Sequence, residues 1–515
     1  MTADSRVELV VDGRAVVVDD DGASLLEVLR DRLGVLGAKD GCSPQGQCGC
    51  CTVLVDGSPR VSCVTPVKRV AGRAITTIDG LATAPRWADA FCASGASQCG
   101  FCTPGIIVRL DALRAAGATA TDVDKVERAL LAHLCRCTGW RSILDAWAAF
   151  DGIDDATTRD LDGASLRAAI EGGCAQRVGP EVSLGRGGFA DDTAPPDALV
   201  AVPDGDGGWA VGETLTEARR AAAKTQGRRT TVDVLHPVRV PDGEWAVTLQ
   251  TTWVEPAYLE LDASWCVPGG EPSSPLANGG AFGGKLTSPV MVAARELADT
   301  HGRAVRVLLS REDTVRLGPK RPPIGAGVDR DGRGIMRVAR TPGIVEAVSS
   351  FAPSLAVEEV DVAGPPTSTA LRAAGWAEAA VLLAGARREA RPITAPNGAI
   401  AEAHIDASGV HVRVRAGDPL DEVVLRSYCI GAAHMALGWI TSEGIAVAAD
   451  GDVLDLTIRS FGVLRAVDTP PITVEIERDP EPARNGSDAV FAAVAAAAWV
   501  AQGCPPTLPT GRNFR

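Results

Sequence analysis

Eight cysteines in the first 140 residues form two groups whose spacing suits a metal or iron–sulfur site. The first group has the spacing C-x5-C-x2-C-x11-C and the second C-x2-C-x32-C-x-C. Four thiolates are the ligand set of a [2Fe-2S] cluster and also of many structural zinc sites. Zinc ribbons use two C-x2-C knuckles, so the C-x-C pair favours iron–sulfur clusters and leaves zinc as the alternative. The two groups are Cys42, Cys48, Cys51 and Cys63, and Cys99, Cys102, Cys135 and Cys137.

The other cysteines and the glycines around the first group support this interpretation. Ten of the fourteen cysteines lie between Cys42 and Cys137, and clustered thiols in a chain with no export signal are better interpreted as metal ligands than as disulfides. Gly41, Gly46 and Gly49 let the backbone wrap closely and point N–H groups at the sulfurs. Cys50 is expected to point away, because its neighbours already complete the spacing. Isolated cysteines are usually core residues; these are Cys174, Cys266, Cys429 and Cys504.

The elements that must position these thiols are predicted as two small domains. In residues 1–80, two β-rich runs flank an Asp12-Gly13 turn, Ser24 is placed to cap a helix, and a strand follows the first cysteine loop. In residues 81–150, apolar residues recur at intervals of three and four, which indicates a helical bundle. The cysteine pairs of the second group flank its helices, so helix ends bring them together.

The remainder of the chain has weaker signals. Residues 151–195 are rich in Gly, Asp and Ala and are interpreted as a linker or a strapped-down connector. Mixed helices and strands follow, divided into residues 196–330 and 331–515. The apolar run at 489–501 has 13 residues, against the roughly 20 that span a bilayer, so it predicts a buried helix. Ser487 or Asp488 is expected at its N-cap.

The net charge of the chain argues against some classes of partner. The chain has 51 Lys and Arg against 65 Asp and Glu, a formal charge of -14. This balance argues against a nucleic-acid backbone or an anionic membrane surface as partner. The first residues lack the basic start and apolar core of a signal peptide, so we expect a cytoplasmic protein.

Three segments resemble the iron–sulfur part of xanthine dehydrogenase/aldehyde oxidase-type molybdenum hydroxylases: GCSPQGQCGCCTV (41–53), QCGFCTPG (98–105) and LCRCTGW (134–140). The resemblance implies a ferredoxin-like β-grasp domain in residues 1–80, a four-helix-bundle domain in residues 81–150, and two [2Fe-2S] clusters held by the eight cysteines. It also implies that Gln98 and Cys137 contact the edge of a molybdopterin. FAD would then lie on a partner subunit.

A glycine-rich segment at 279–285, GGAFGGK, has two interpretations. It fits the start of a phosphate-binding loop, but Leu286 stands where Ser or Thr would hold magnesium. It also resembles the glycine loop of the family's molybdenum subunits, which implies cofactor contacts from Gly280, Phe282 and Gly283. The resemblance of residues 196–515 is patchy and implies a reduced α+β molybdopterin-binding-like region.

That half of the chain departs from the family pattern at the residues of catalysis. Ser487 aligns with the family's glutamate general base, so Asp488 is the candidate substitute. Leu286 replaces a second glutamate, and no Ala-Phe-Arg-Gly-Phe-Gly segment with its substrate-orienting arginine occurs. No G-x-G-x-x-G follows a strand, so FAD binding by this chain finds no support. His434 lies on an apolar helical stretch and is interpreted as a core residue.

Three functions are consistent with this pattern. The first is a redox subunit that carries electrons through two [2Fe-2S] clusters between a molybdopterin site and an FAD-binding subunit. The molybdopterin would be held by this chain or by a partner, in an oligomeric complex with a larger molybdenum subunit as a further candidate partner. The second is a molybdenum-dependent hydroxylase of a heterocycle or aldehyde, complete in this chain. The third is a non-catalytic assembly scaffold. Intact cysteine groups beside an incomplete catalytic half favour the first.

Overall fold

The computed structural model describes residues 6–152, 159–222, 234–276, 281–512 and 514. In these ranges the chain is mixed α+β, with one five-stranded sheet and three four-stranded sheets. The α+β class predicted from the sequence is therefore confirmed for the described residues.

The five-stranded sheet begins with the predicted hairpin. Asp12 and Gly13 both have positive φ in its turn, and the side chains of the first strand alternate between exposed and buried. Ser24 caps the following helix by accepting a hydrogen bond from the Glu27 amide (3.2 Å), as predicted. The sheet order is β2-β1-β5-β3-β4. The elements are β1 Arg6–Val11, β2 Arg14–Asp19, α1 Leu25–Glu27 with a π-helical continuation Val28–Arg32, β3 Thr52–Val55, β4 Ser58–Val61 and β5 Ala74–Thr76.

Four helices follow in the region predicted as a bundle. Their core is aromatic, with the ring centroids of Trp87 and Phe150 4.0 Å apart and Trp147 stacked on Trp87. The first helix ends at Gly95 in the left-handed conformation. The helices are α2 Ala84–Ser94, α3 Thr103–Ala115, α4 Val123–Ala129 and α5 Arg141–Ala149.

The described part of the connector is packed against the protein. It contains two helices, α6 Leu161–Gly172 and α7 Pro180–Ser183, that the composition did not predict. Arg167 of α6 is fully buried and donates to the backbone oxygens of Ala416, Asp418 and Arg484. The segment is therefore of the strapped-down kind.

Two four-stranded sheets lie in the next region, with orders β7-β6-β10-β9 and β13-β12-β11-β8. The predicted boundary between residues 330 and 331 falls in the turn joining β11 to β12, which pair antiparallel. That boundary is wrong, because it would cut one hairpin of one sheet. The elements are β6 Leu199–Pro203, β7 Trp209–Gly212, α8 Leu215–Ala221, β8 Val247–Gln250, β9 Ala263–Cys266, α9 Val290–His301, β10 Val305–Leu308, α10 Arg311–Leu317, β11 Ile324–Val328, β12 Gly334–Ala339, α11 Ile344–Ser349, β13 Leu355–Val360 and α12 Trp376–Arg387.

The last layer is a sheet of order β14-β15-β16-β17 packed on two apolar helices. Helix α13 is long and apolar enough to cross a membrane by length and composition, but 89% of its apolar stretch is buried inside the protein. We interpret it as a core helix. The elements are β14 Ile393–Thr394, β15 Ile400–Asp406, β16 Gly409–Arg415, α13 Glu422–Thr441, β17 Ile472–Ile476 and α14 Ser487–Ala501.

The start of α14 differs from the prediction. Gly486 occupies the N-cap and makes no side-chain capping bond, so neither Ser487 nor Asp488 is the cap. Instead Asn485 Oδ1 accepts a hydrogen bond from the Asp488 amide (3.0 Å). The helix itself is confirmed as a buried one.

Candidate metal centre and adjoining cavity

The first cysteine group lies on the loop between α1 and β3 and on the turn after β4. All four residues are buried, at 1–4% exposure. The Cys42 thiol contacts those of Cys48 and Cys63, and Cys63 also contacts Cys51. Hydrogen bonds from Cys48 and Cys63 lower the pKa of Cys42 to about 2, so the Cys42 side chain favours the thiolate form, while the pKa values of Cys48 and Cys63 are raised.

Glycines leave the space that the thiols occupy. A Cβ on Gly41 would lie 3.0 Å from Cys50 Sγ and 3.1 Å from Cys48 Sγ. A Cβ on Gly49 would lie 2.5 Å from the His133 ring, and Gly49 has a φ of +74°. The Gln47 amide also donates to Cys42 Sγ (3.4 Å). Close backbone and N–H donors directed at sulfur are what an iron–sulfur cluster requires, so the first loop fits that group.

The second group is assembled from helix ends, as predicted. Cys99 and Cys102 lie between α2 and α3, and Cys135 and Cys137 lie just before α5. The Sγ atoms of Cys99 and Cys137 are 3.7 Å apart, and the thiols of Cys102 and Cys135 form a hydrogen bond. In residues 6–152, 159–222, 234–276 and 281–512, no group of three or more His, Cys, Asp or Glu side chains could hold a single metal ion. The thiols of the second group meet in two pairs, Cys99 with Cys137 and Cys102 with Cys135, and a [2Fe-2S] cluster takes two thiolates on each iron.

The two groups are in direct backbone contact. The Leu134 amide donates to the Cys48 carbonyl (3.0 Å). Gly105, in the first turn of α3, lies against the first loop so closely that a Cβ would be 2.3 Å from the Gly49 carbonyl. The loops that carry the two cysteine groups are therefore packed directly on each other, with no solvent between these backbone atoms.

Cys50 does not point away from the first group, contrary to the expectation from the sequence. It is fully buried and its thiol hydrogen-bonds that of Cys48.

His434 is fully buried on α13, with Nε2 3.0 Å from the Leu464 carbonyl. Burial lowers its pKa to about 3, so it is a neutral core histidine, as interpreted from the sequence.

The described part of the glycine loop begins at Ala281, so Gly280 lies outside the described residues. Phe282 and Gly283 have φ values of +48° and +91°, and a Cβ on Gly283 would lie 2.0 Å from the Ala370 carbonyl. Lys285 is buried, with Nζ 3.0 Å from Glu260 Oε2. This pairing with a buried carboxylate disfavours the role of Lys285 as the lysine of a phosphate-binding loop.

Arg372 is a functional candidate that the sequence reasoning missed. Its guanidinium lies 4.4 Å from the centroid of the Phe282 ring, and its Nη2 donates to Ser487 Oγ (3.3 Å). The segment Ala370-Leu371-Arg372-Ala373-Ala374-Gly375 keeps the alanine, arginine and final glycine of the family's Ala-Phe-Arg-Gly-Phe-Gly segment. A search for Ala-x-Arg-x-x-Gly before an apolar helix would have found it.

Glu171, from the connector, is a second candidate that sequence reasoning missed. Its carboxylate accepts hydrogen bonds from the Gly486 and Ser487 amides (3.0 and 2.9 Å) and from Arg167 Nη2 (2.5 Å). It therefore places a negative charge at the start of α14, beside the residue that aligns with the family's base. A partner at residue 171 gave no local sequence signal, because the contact spans more than 300 residues.

A cavity of about 130 Å³ lies between the glycine loop, the connector and α14. Asp488 opens into it with a 30% exposed side chain, and its Oδ1 is 3.4 Å from Arg372 Nε. Burial raises the pKa of Asp488 to about 6, while Arg372 opposes that rise. An acid that changes protonation near neutral pH, beside an arginine, is suited to proton transfer.

Gln98, which is predicted to contact the pterin, already uses its side-chain amide in hydrogen bonds within the protein. The Gln98 amide donates to the Cys137 carbonyl and to Ser427 Oγ, both at 3.0 Å, which uses both of its hydrogens. Gly431 of α13 packs so tightly on the Cys137 carbonyl that a Cβ would lie 1.7 Å away. The described residues here do not fit a pterin edge unless Gln98 releases Ser427.

Comparison with known proteins places this site in a family. A family model described as a [2Fe-2S] binding domain matches residues 77–148. The xanthine dehydrogenase iron-sulfur-binding subunit of Escherichia coli O157:H7 is 40% identical over 128 residues, which are 24% of this chain and 79% of that protein. The chain belongs to the molybdenum hydroxylase family. Residues 77–148 are accordingly a [2Fe-2S]-binding domain, and the related molybdenum hydroxylases are oxidoreductases.

The similarity to larger molybdenum hydroxylases is partial in sequence and extensive in fold. Xanthine dehydrogenase 2 of Arabidopsis thaliana is 38% identical over 159 residues, which are 28% of this chain and 12% of that protein. The aldehyde oxidoreductase structure from Desulfovibrio desulfuricans matches with a TM-score of 0.66 at 14% identity, over 96% of this chain and 97% of that chain. At that identity the match shows the fold alone.

Proposed function

We propose that the chain is the iron–sulfur redox subunit of a xanthine dehydrogenase-like molybdenum hydroxylase, with two [2Fe-2S] clusters in residues 1–150. The observation that carries this is the meeting of two buried four-thiol groups whose loops are hydrogen-bonded to each other. The ligands of the first cluster would be Cys42, Cys48, Cys51 and Cys63, and those of the second Cys99, Cys102, Cys135 and Cys137. Each cluster would supply a one-electron redox centre.

The residues around the thiols explain how such centres would work. Burial of the thiols excludes water, and the Gln47 amide donates to a ligand sulfur, which stabilises the added electron. Thr138 Oγ1 lies 3.1 Å from Cys135 Sγ and can do the same in the second group. The five-stranded sheet would be the ferredoxin-like domain and the four helices the bundle domain.

The complex around this chain is part of the proposal. FAD on a partner subunit would receive electrons from the clusters, and a molybdopterin would be bound by a larger molybdenum subunit. The name of the Escherichia coli relative as a subunit supports such a complex, and the competing contacts at Gln98 favour a molybdopterin bound elsewhere. We place the complex in the cytoplasm.

The proposal is tested on the full-length protein by electron paramagnetic resonance after dithionite reduction. We expect two distinct [2Fe-2S] signals and about four irons and four sulfides per chain. Cys48→Ala should remove one signal and Cys137→Ala the other, while Cys266→Ala, a buried thiol of β9 outside both groups, should keep both. Fewer than two signals from the unsubstituted chain would reject the proposal.

A second candidate function rests on the cavity beside Phe282. Asp488 and Arg372 line it together, so a hydroxylase in which Asp488 replaces the family's glutamate base is the alternative. Elemental analysis of the native complex, separated into its chains, decides between them. About one molybdenum per copy of this chain would favour the hydroxylase, and molybdenum confined to another chain would exclude it.

A further inference from the structure

Cys50 lies in the first cysteine-rich loop but is not one of the eight predicted ligands. Its side chain is directed into the first group. It is fully buried, and its thiol accepts a hydrogen bond from the Cys48 thiol while its own Sγ lies 4.0 Å from the Cys48 carbonyl. Only a glycine at position 41 leaves room for both sulfurs. The Cys50 thiol therefore occupies a space shaped for it, next to a predicted ligand.

Cys50 also faces the second group. Its thiol is close enough to interact electrostatically with Cys42 and Cys51 of the first group, and with Cys102 and Cys135 of the second. Its carbonyl accepts a hydrogen bond from the Lys39 amide (3.2 Å), and Gly105 of α3 packs on the same carbonyl. The backbone is held from both domains, so the thiol has a fixed position between the two groups.

Cys48 loses its proton when it binds iron, so Cys50 is then the thiol of this pair that keeps an S–H. We propose that Cys50 turns this S–H, which is directed at the Cys48 carbonyl (4.0 Å), to the ligand sulfur of Cys48 and so raises the reduction potential of the first cluster. This rests on the proposed function, because it requires both clusters in this chain. A reduced cluster carries one more negative charge than an oxidised one, and a donor at a ligand sulfur stabilises that charge. The first cluster gains one electron as the second loses one, so Cys50 favours transfer from the second cluster to the first. No bond breaks and no proton leaves.

The test is a redox titration of the full-length protein followed by electron paramagnetic resonance, with iron and sulfide content checked for each variant. Cys50→Ala should lower the midpoint potential of the first cluster by about 59 mV, which is a tenfold change in a one-electron equilibrium. The second cluster should move less. Cys50→Ser keeps a hydroxyl donor and should restore most of the potential. The matched control Cys266→Ala removes a thiol that bonds only the Val267 and Gly270 carbonyls among the described contacts, and should leave both potentials unchanged.

Two outcomes overturn the inference. Unchanged potentials in a fully loaded Cys50→Ala protein would show that the thiol does not tune the cluster. Loss of one cluster in that variant would show that Cys50 is a ligand instead. If Cys50→Ala does not fold, Cys50→Val fills the space without a donor and is subject to the same two outcomes. A wild-type chain with fewer than two clusters rejects the proposed function itself, so the two failures are distinguishable.

Discussion

A few charged side chains, Arg372 among them, determine the electrostatic surroundings of Ser487 in the C-terminal half. The guanidinium lies over Phe282, reaches Ser487 and approaches Asp488. Glu171 lines the same cavity and accepts hydrogen bonds from the Gly486 and Ser487 amides. A cation and two carboxylates thus surround a residue, Ser487, that is itself unable to act as a base near neutral pH.

The raised pKa of Asp488 predicts that the free energy of unfolding depends on pH. Its pKa rises from the usual 3.8 to about 6 because of burial, so the folded chain binds the proton more tightly than the unfolded chain. The free energy of unfolding therefore falls as pH rises from about 4 to about 6. Each pKa unit corresponds to about 1.4 kcal/mol, and the 30% exposed side chain reduces the effect to about 1 kcal/mol between pH 5 and 7.5.

Urea unfolding of Asp488→Asn and of the wild type at pH 5 and pH 7.5 measures this effect. The difference in stability should move in favour of the variant by about 1 kcal/mol at the higher pH. Glu346→Gln, which removes an exposed carboxylate of α11, is the control. A shift of the same size in the control, or none in Asp488→Asn, would contradict the assignment.

At the scale of elements, close backbone approaches decide where helices and loops can lie. The glycine loop meets the segment before α12 at Gly283, and α13 meets the loop before α5 at Gly431. Both are positions where a side chain would overlap backbone rather than a flexible neighbour. The cavity and the second cysteine group are therefore shaped by contacts between elements distant in sequence.

Gly283→Ala should destabilise the protein more than a matched glycine substitution. Gly269 also has positive φ (+69°) but has no atom within 4 Å of its ideal Cβ, so Gly269→Ala should cost about 1–2 kcal/mol from backbone strain alone. Gly283→Ala adds overlap with the Ala370 carbonyl and should cost about 1–3 kcal/mol more. Equal losses of unfolding free energy in urea titrations would show that the loop can move away.

Gly431→Ala should displace α13 from the second cysteine group. The added Cβ would meet the Cys137 carbonyl, which should cost about 1–3 kcal/mol and alter the magnetic resonance signal of the second cluster. The signal of the first cluster should be unchanged, and Gly269→Ala should change neither. Identical spectra for Gly431→Ala and the wild type would disprove the tight contact.

For the whole molecule, buried ion pairs connect the N-terminal domains to the C-terminal half. Arg136, between two predicted ligands, donates to both oxygens of Glu443 at 2.6 and 2.8 Å, and the two side chains are 4% and 1% exposed. Arg311 makes a further connection, a hydrogen bond from its Nη2 to the Gly41 carbonyl (2.7 Å). The iron–sulfur part is therefore joined to the rest of the chain directly at the loops that carry its cysteines.

Glu443→Ala should lower the free energy of unfolding by about 3–5 kcal/mol, because it leaves the buried Arg136 without its carboxylate. An exposed pair joins the same two parts of the protein, Arg426 on α13 and Asp145 on α5, at 3.1 Å. Asp145→Ala should therefore cost under about 1 kcal/mol. Thermal and urea unfolding of the two variants measure the contrast, and similar losses would contradict the role assigned to burial.

The sequence by itself determined the features that depend on local spacing. The hairpin at Asp12-Gly13, the Ser24 cap, the helical character of residues 81–150 and the two cysteine groups follow from turn chemistry, periodicity and ligand spacing, which act over a few residues. The number of four helices was implied only by the family resemblance. Tertiary structure alone decided the rest. Glu171 at the start of α14, Arg372 over Phe282, Cys50 between the two groups and the hairpin across residue 330 depend on packing between distant segments. Such contacts are selected by overall burial and leave little trace in the neighbouring residues.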